Sequence, residues 1–220
     1  MKKNKVLSFK YFLCDFIRIT AAIPSLIWFR PKKIYESKAA KKKIRGGALL
    51  SANHVGFMDP VYLMTQIWYR RHHFLAAKEL FGANKFGKFM FKNAFLCIPV
   101  DRENFNAAAM KGIITHLKQG DLVSVFPEGH IGKSDEDLQN FKSGVTFMAY
   151  MSGCPVIPVY IKKRENAWQR QTVVVGEPVY IDAKEKKGSS SEFLKEKTEL
   201  LYQKEQKLKQ IYDERCKKKK

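Results

Sequence analysis

A chain of 220 residues, 45% hydrophobic and 28% charged, is long enough for one full-sized domain with a buried core. These proportions exclude wholesale disorder, and the length leaves little room for a second domain, so a single active site is expected. The formal net charge of +20 is the unusual quantity.

Residues 1–45 hold thirteen Lys or Arg against Asp15 and Glu36, and these cations flank an apolar segment. Basic clusters beside apolar helices suit anionic lipid headgroups, where each cation contributes about 1 kcal/mol and is screened by salt. Nucleic acid is the competing polyanion, and a plain solvated surface is the third reading. From Phe9 to Phe29 the chain is rich in Phe, Leu, Ile and Trp, but its longest charge-free stretch, Ile19 to Phe29, is about half of the ~20 residues a spanning helix needs. Phe9, Phe12, Leu13, Phe16 and Ile17 recur at helical spacing with Lys10, Asp15 and Arg18 between them. The pattern predicts an amphipathic helix lying in the membrane interface, or else one packed on a core. The segment lacks a small-residue cleavage site, so it is expected to be retained, with the globular domain in the cytoplasm.

Lys32 to Arg45 reads as a basic linker closed by Gly46-Gly47, and the globular domain is expected to begin there. Beyond it, strands are predicted near Ala48–Ala52, His73–Ala77, Ala94–Val100, Leu122–Phe126, Val156–Ile161 and Thr172–Val175. Helices are predicted near Pro60–Arg70, Lys85–Lys92, Asn106–Gln119 and Ser143–Ser152, with Gly120 and Gly153 as stops. This alternation predicts an α/β fold, a central sheet flanked by helices, preceded by the N-terminal amphipathic segment. The division expected is 1–45 for membrane association and linker, 46–183 for the catalytic domain, and 184–220 for a C-terminal helix and lysine tail. Ser189 with Glu192 makes a capping-box pattern ahead of that last helix, whose apolar stripe either packs on the domain or lies on lipid. Cys14, Cys97, Cys154 and Cys216 are far apart, with no metal-ligand or redox spacing, so neither a metal nor a disulfide is expected of them.

The chemistry concentrates where strands end. Asn53-His54-Val55-Gly56-Phe57-Met58-Asp59-Pro60 follows the first predicted strand, at a position where α/β sheets bind ligands. A carboxylate beside an imidazole fixes one tautomer and leaves the other nitrogen to take a proton from a hydroxyl. Asp59-Pro60 is equally a good helix start, with Asp as cap and Pro at the first helical position. Phe126-Pro127-Glu128-Gly129-His130 follows another strand in the same way. There Glu128 would hold substrate hydroxyls or a basic neighbour, and Gly129 would let backbone N–H groups face a developing oxyanion. Lys78 and Asp101-Arg102 also follow strands, where cations suit phosphate.

Together these residues resemble the glycerolipid acyltransferases, the family that includes 1-acylglycerol-3-phosphate acyltransferases. Asn53-His54 with Asp59 is similar to the family's NHxxxxD block. Lys78 with Val100-Asp101-Arg102 is similar to the second block, Phe126-Pro127-Glu128-Gly129 to the third, and Cys154-Pro155-Val156-Ile157-Pro158-Val159 to the fourth. Phe141-Lys142-Ser143-Gly144 resembles a Phe-Lys-x-Gly element, and Gly176-Glu177-Pro178 the trailing Gly-x-Pro. The resemblance covers residues 48 to 182.

It implies transfer of a fatty acyl group from acyl-CoA or acyl-carrier protein to a lysophospholipid hydroxyl. His54 would be the base and Asp59 its partner, with no metal and no cofactor beyond the acyl donor. Asn53, Lys78, Arg102, Glu128, Gly129 and Lys133 would bind substrate. The partner would be an anionic phospholipid membrane approached from its cytoplasmic face by a peripheral or monotopic protein, and not nucleic acid. Two departures bear on the acceptor: Ile131 stands where the family's third block carries Arg, with Lys133 as a possible replacement, and Val55-Gly56 stand where polar residues are frequent.

Overall fold

A computed structural model of the chain describes residues 11–82, 84–101, 107–132, 138, 140–185 and 188–216. Arg102 and Lys133 lie outside the described residues, as do Phe9, Lys10 and the terminal Lys217–Lys220.

Seven strands form one mixed sheet: β1 (Lys32–Tyr35), β2 (Ala48–Ala52), β3 (His72–Ala77), β4 (Ile98–Val100), β5 (Leu122–Val125), β6 (Val156–Ile161) and β7 (Thr172–Val175). Their order is β1-β7-β6-β2-β5-β3-β4. Neighbours pair in parallel except β6 with β7, so β7 and β1 run against the other five. Strands β2, β5, β6 and β7 are buried at every residue, which is why their sequences are mostly apolar on both faces, with only the small Ser51, Ser124 and Thr172 among them.

The helices are α1 (Phe12–Thr20), α2 (Ala22–Phe29), α3 (Asp59–Gln66), α4 (Lys85–Asn93), α5 (Ala107–Lys118), α6 (Gly144–Ser152) and α7 (Ser190–Cys216). Side chains alternate along β2. Ala48, Leu50 and Ala52 share a core with Phe29 of α2 and with Tyr62 and Leu63 of α3. Leu49 faces the other way, onto Ile113 and Leu117 of α5, Met148 of α6 and Leu201 of α7. The α/β sandwich expected from the sequence is therefore present, helices covering both faces.

Three expectations need correction. The stretch read as a basic linker supplies β1, whose Lys32, Lys33, Ile34 and Tyr35 register with Thr172, Val173, Val174 and Val175, so the sheet begins before Gly46. The strand predicted over Ala94–Val100 is confined to Ile98–Val100. Ala94 to Cys97 instead close α4: Ala94 and Phe95 N–H donate to the Met90 carbonyl, Cys97 N–H to that of Phe91, and Leu96 turns left-handed at φ 48°. Those residues are apolar because they are packed, not because they are extended. Helix α3 stops at Gln66, and Arg70 beyond it donates to the carbonyls of Ile44, Gly46 and Gly120.

The C-terminal helix packs on the domain: Phe193, Leu201 and Leu208 are buried, and the capping box forms, with Glu192 N–H donating to Ser189 Oγ at 3.2 Å and Ser189 N–H to Glu192 Oε2 at 3.3 Å. Gly120 and Gly153 stop their helices with positive φ. Phe12 to Phe29 is long and apolar enough, by length and composition alone, to cross a membrane, yet a turn at Ala21 divides it and Asp15 is buried. Arg71 clamps that carboxylate with Nε to Oδ1 at 2.9 Å and Nη2 to Oδ2 at 2.7 Å, tying α1 to the domain beside β3.

Candidate active site

Parallel pairing brings the C-terminal ends of β2, β3, β5 and β6 to one edge of the sheet, and there the chain carries its reactive groups. After β2 the backbone leaves Ala52 as a turn. Its first side chain, Asn53, donates Nδ2 to the Ile161 carbonyl at 3.0 Å and accepts the Ile161 N–H at 2.6 Å. Both ends of this amide are used in stitching the turn to the end of β6. Asn53, expected to bind substrate, is thus a buried structural brace.

His54 follows. Its Nδ1 lies 2.7 Å from Asp59 Oδ2, and its ring stacks on Phe126 with centroids 4.1 Å apart. The same Asp59 oxygen accepts the backbone N–H groups of Val55 at 2.7 Å and Gly56 at 2.9 Å. A helix cap accepts from residues two or three positions ahead of it, whereas every described donor to Asp59 lies behind it, and no side chain caps α3. Asp59 is a fully buried clamp on the His54 turn. With Nδ1 held by the carboxylate, Nε2 is the nitrogen left for a substrate.

Glu128 follows β5, is 3% exposed, and accepts the His54 backbone N–H. Burial pushes its carboxyl up to about 7, with the nearby Asp59 charge adding to the rise and the His54 hydrogen bond opposing it. Gly129 is left-handed at φ +78°, and a Cβ there would stand 3.3 Å from Lys142 Cε and Nζ. Its N–H donates to the Phe126 carbonyl at 3.0 Å and closes the turn. Lys78 stands exposed just past β3, while Ala77, Glu79 and Leu80 around it form the wall of the cleft.

The cleft itself is a cavity of about 1140 Å³, just above the ~300–1,000 Å³ common for ligand sites. His54, Phe126 and Gly129 sit among an apolar lining that includes Phe74, Phe91 and Met148. Among its described lining residues Lys142 carries the only ammonium or guanidinium group. The Phe-Lys-x-Gly pattern marked Lys142 in the sequence, but only its contact with the Gly129 turn gives it a place at the site. Phe126, read as the last residue of a strand, serves as the platform for the imidazole.

A protein-family profile described as Acyltransferase matches residues 32–162, more than half of the chain. The chain belongs to the acyltransferase family. This acyltransferase is 31% identical over 140 residues to the 1-acyl-sn-glycerol-3-phosphate acyltransferase of Bacillus subtilis (strain 168), a match covering 61% of this chain and 67% of that one. It is 34% identical over 113 residues to the enzyme of the same name from Streptococcus pneumoniae (strain ATCC BAA-255 / R6), covering 50% of this chain and 40% of the relative. Its fold is that of the crystallised 1-acyl-sn-glycerophosphate (LPA) acyltransferase PlsC from Thermotoga maritima, with a TM-score of 0.63 at 22% identity over 92% of this chain and 80% of that one.

Proposed function

We propose that this acyltransferase esterifies the free hydroxyl of 1-acylglycerol-3-phosphate with a fatty acyl group from acyl-CoA or acyl-carrier protein, giving phosphatidic acid. The observation that carries the reading is the His54–Asp59 pair, 2.7 Å apart at the mouth of a large apolar cavity. The acceptor hydroxyl gives its proton to His54 Nε2 as its oxygen attacks the thioester carbonyl. Asp59 holds the imidazole and balances the imidazolium, and the proton then passes to the departing thiolate as the C–S bond breaks. The apolar walls suit the acyl chain. Lys142 is the cation for the phosphate or the tetrahedral oxyanion, Lys78 serves phosphate binding from the end of β3, and Arg102, outside the described residues, is assigned the same role from the sequence pattern.

The same edge is the membrane side in this proposal. Because β7 runs against β6, it begins where β6 ends, and β1 and the close of α2 lie there too. The β6–β7 loop is stitched to that helix end by Gln171 N–H to the Phe29 carbonyl at 2.8 Å and Arg170 Nε to the Arg30 carbonyl at 3.0 Å. Ile23, Ile27, Trp28 and Trp168 are exposed there, and Lys162, Lys163, Arg164 and Arg170 stand in the loop against Glu165. Apolar anchors among cations fit an anionic interface, with the protein held on one leaflet.

Ile131, 47% exposed on the cavity wall where the family pattern has Arg, favours a second reading in which the acceptor is a different lysophospholipid. One assay tests both. Purified enzyme in vesicles is offered a panel of lysolipids with acyl-CoA or acyl-carrier protein, and products are read by mass. Phosphatidic acid is the expected main product, and His54→Ala and Asp59→Asn should each lose roughly 10²–10⁴-fold in kcat with unchanged circular dichroism. Preference for another lysolipid replaces the acceptor, and a folded, active His54→Ala protein overturns the mechanism.

A further inference from the structure

At the opposite edge of the sheet, where β3 and β5 begin, a second group of polar side chains converges away from the catalytic turn. His73 is the second residue of β3, Asp121 immediately precedes β5, and His116 stands in the last turn of α5. His116 Nδ1 is 2.9 Å from Asp121 Oδ2, His73 Nε2 is 4.0 Å from the same oxygen, and one ligand atom from each residue fits within 4.8 Å of the other two.

A His–Asp hydrogen bond closing the α5–β5 turn explains His116 and Asp121 but leaves His73 unexplained. That ring is 95% buried, and although it makes a hydrogen bond with the Leu122 backbone, its Nδ1 has no partner and its Nε2 stands 4.0 Å from the carboxylate, beyond hydrogen-bond distance. A buried polar group left unpaired is costly, so such a ring calls for a reason. The two imidazoles also lie close, with centroids 4.7 Å apart.

We infer that His73, His116 and Asp121 form a binding site for a divalent transition-metal cation of the zinc type, remote from the catalytic edge. Two imidazoles and one carboxylate are a donor set suited to such ions, with water completing the coordination. Bonds of about 2.0–2.2 Å in a tetrahedral site separate ligand atoms by about 3.3 Å. The Asp121 oxygen stands 2.9 Å from His116 Nδ1 and 4.0 Å from His73 Nε2, on either side of that value, so an ion would have to draw the groups into range. His116 and Asp121 are partly exposed, so the ion has a path in from solvent and room for a water ligand. The ion would lock the end of α5 to the starts of two central strands, a structural role separate from acyl transfer.

The test uses the full-length protein stripped with a chelator, titrated with Co²⁺ by visible absorption and with Zn²⁺ by calorimetry and thermal melting. One ion per chain is expected, with a melting midpoint that rises with Zn²⁺. His116→Ala and Asp121→Asn should each weaken binding by more than the ~10–100-fold that loss of an outer-shell partner costs. His54→Ala should bind as the parent does. Absence of one-to-one uptake, or uptake that survives both substitutions, overturns the site and leaves the proposed acyl transfer untouched. A loss of stability in these variants with no Zn²⁺ dependence in the parent returns the cluster to a hydrogen-bonded turn.

Discussion

At the scale of single residues the site is a set of carboxyl groups in different surroundings. Asp59 Oδ2 accepts two backbone N–H groups and lies against the His54 imidazole, while its Oδ1 is buried with no hydrogen-bond partner. Glu128 is buried with weaker support, and Glu205, from α7, is fully buried, accepting Ser51 Oγ at 2.7 Å on Oε1 with no partner on Oε2. Burial raises the Glu205 carboxyl well above its ordinary value, and the nearby Glu128 charge adds to that, against the Ser51 hydrogen bond. Both glutamates therefore bind their protons more tightly when folded than when unfolded, near 4.3. The folded state holds more protons, so stability falls as pH rises above ~4.5, with the Glu128 share spent by about pH 7 and the Glu205 share still falling beyond. The melting midpoint is expected to drop between pH 5 and pH 8. Glu205→Gln, which can still accept from Ser51, should flatten that drop and raise the midpoint at pH 8. An unchanged pH slope in the variant would show that Glu205 is not the group responsible.

At the scale of elements, charge hid one strand and buried apolar residues mimicked another. Lys32-Lys33-Ile34-Tyr35 reads as linker because its lysines dominate, yet the backbone of β1 completes the β7 edge and only Ile34 is buried. Ala94 to Cys97 reads as strand because it is apolar, while its N–H groups go back to α4. The amphipathic reading of α1 predicts its apolar face but not that Asp15 is its anchor, because Arg71 lies 56 positions away in sequence. Asp15→Asn should strip charge balance from Arg71 and Arg18, at about 3–5 kcal/mol for a broken buried pair. Hydrogen exchange in α1 is then expected to rise sharply while β2 and β5 stay protected. Equal protection of α1 in parent and variant would mean that apolar packing alone holds the helix.

At the scale of the whole molecule, the mixed sheet decides which surface carries function. The antiparallel β6–β7 pair brings the Trp168 loop, the end of α2 and the His54 turn to one edge, and the reaction proposed there consumes lipid. Flotation with vesicles rich in anionic lipid should show strong binding that weakens with salt. Replacing Trp28 and Trp168 by Ala should reduce binding several-fold and blunt turnover on vesicles more than on detergent-dispersed substrate. Binding that is insensitive to both tryptophans would move the lipid contact elsewhere, to the exposed phenylalanines Phe86 and Phe89 of α4.

The sequence by itself determined the alternation that makes an α/β sandwich, the helix signals at Ser189, Gly120 and Gly153, and the placing of His54 and Asp59 in one loop, where Asp59 read equally as a helix cap until the structure paired the two. Each is local, set by periodicity, turn chemistry or a spacing within one loop. Tertiary structure alone decided that Asn53 braces Ile161, that Gly129 N–H closes its own turn, that Lys142 enters the site, and that Glu205 and the His73 cluster exist at all. Those depend on contacts between residues far apart in the chain, for which a single sequence carries no periodic signal.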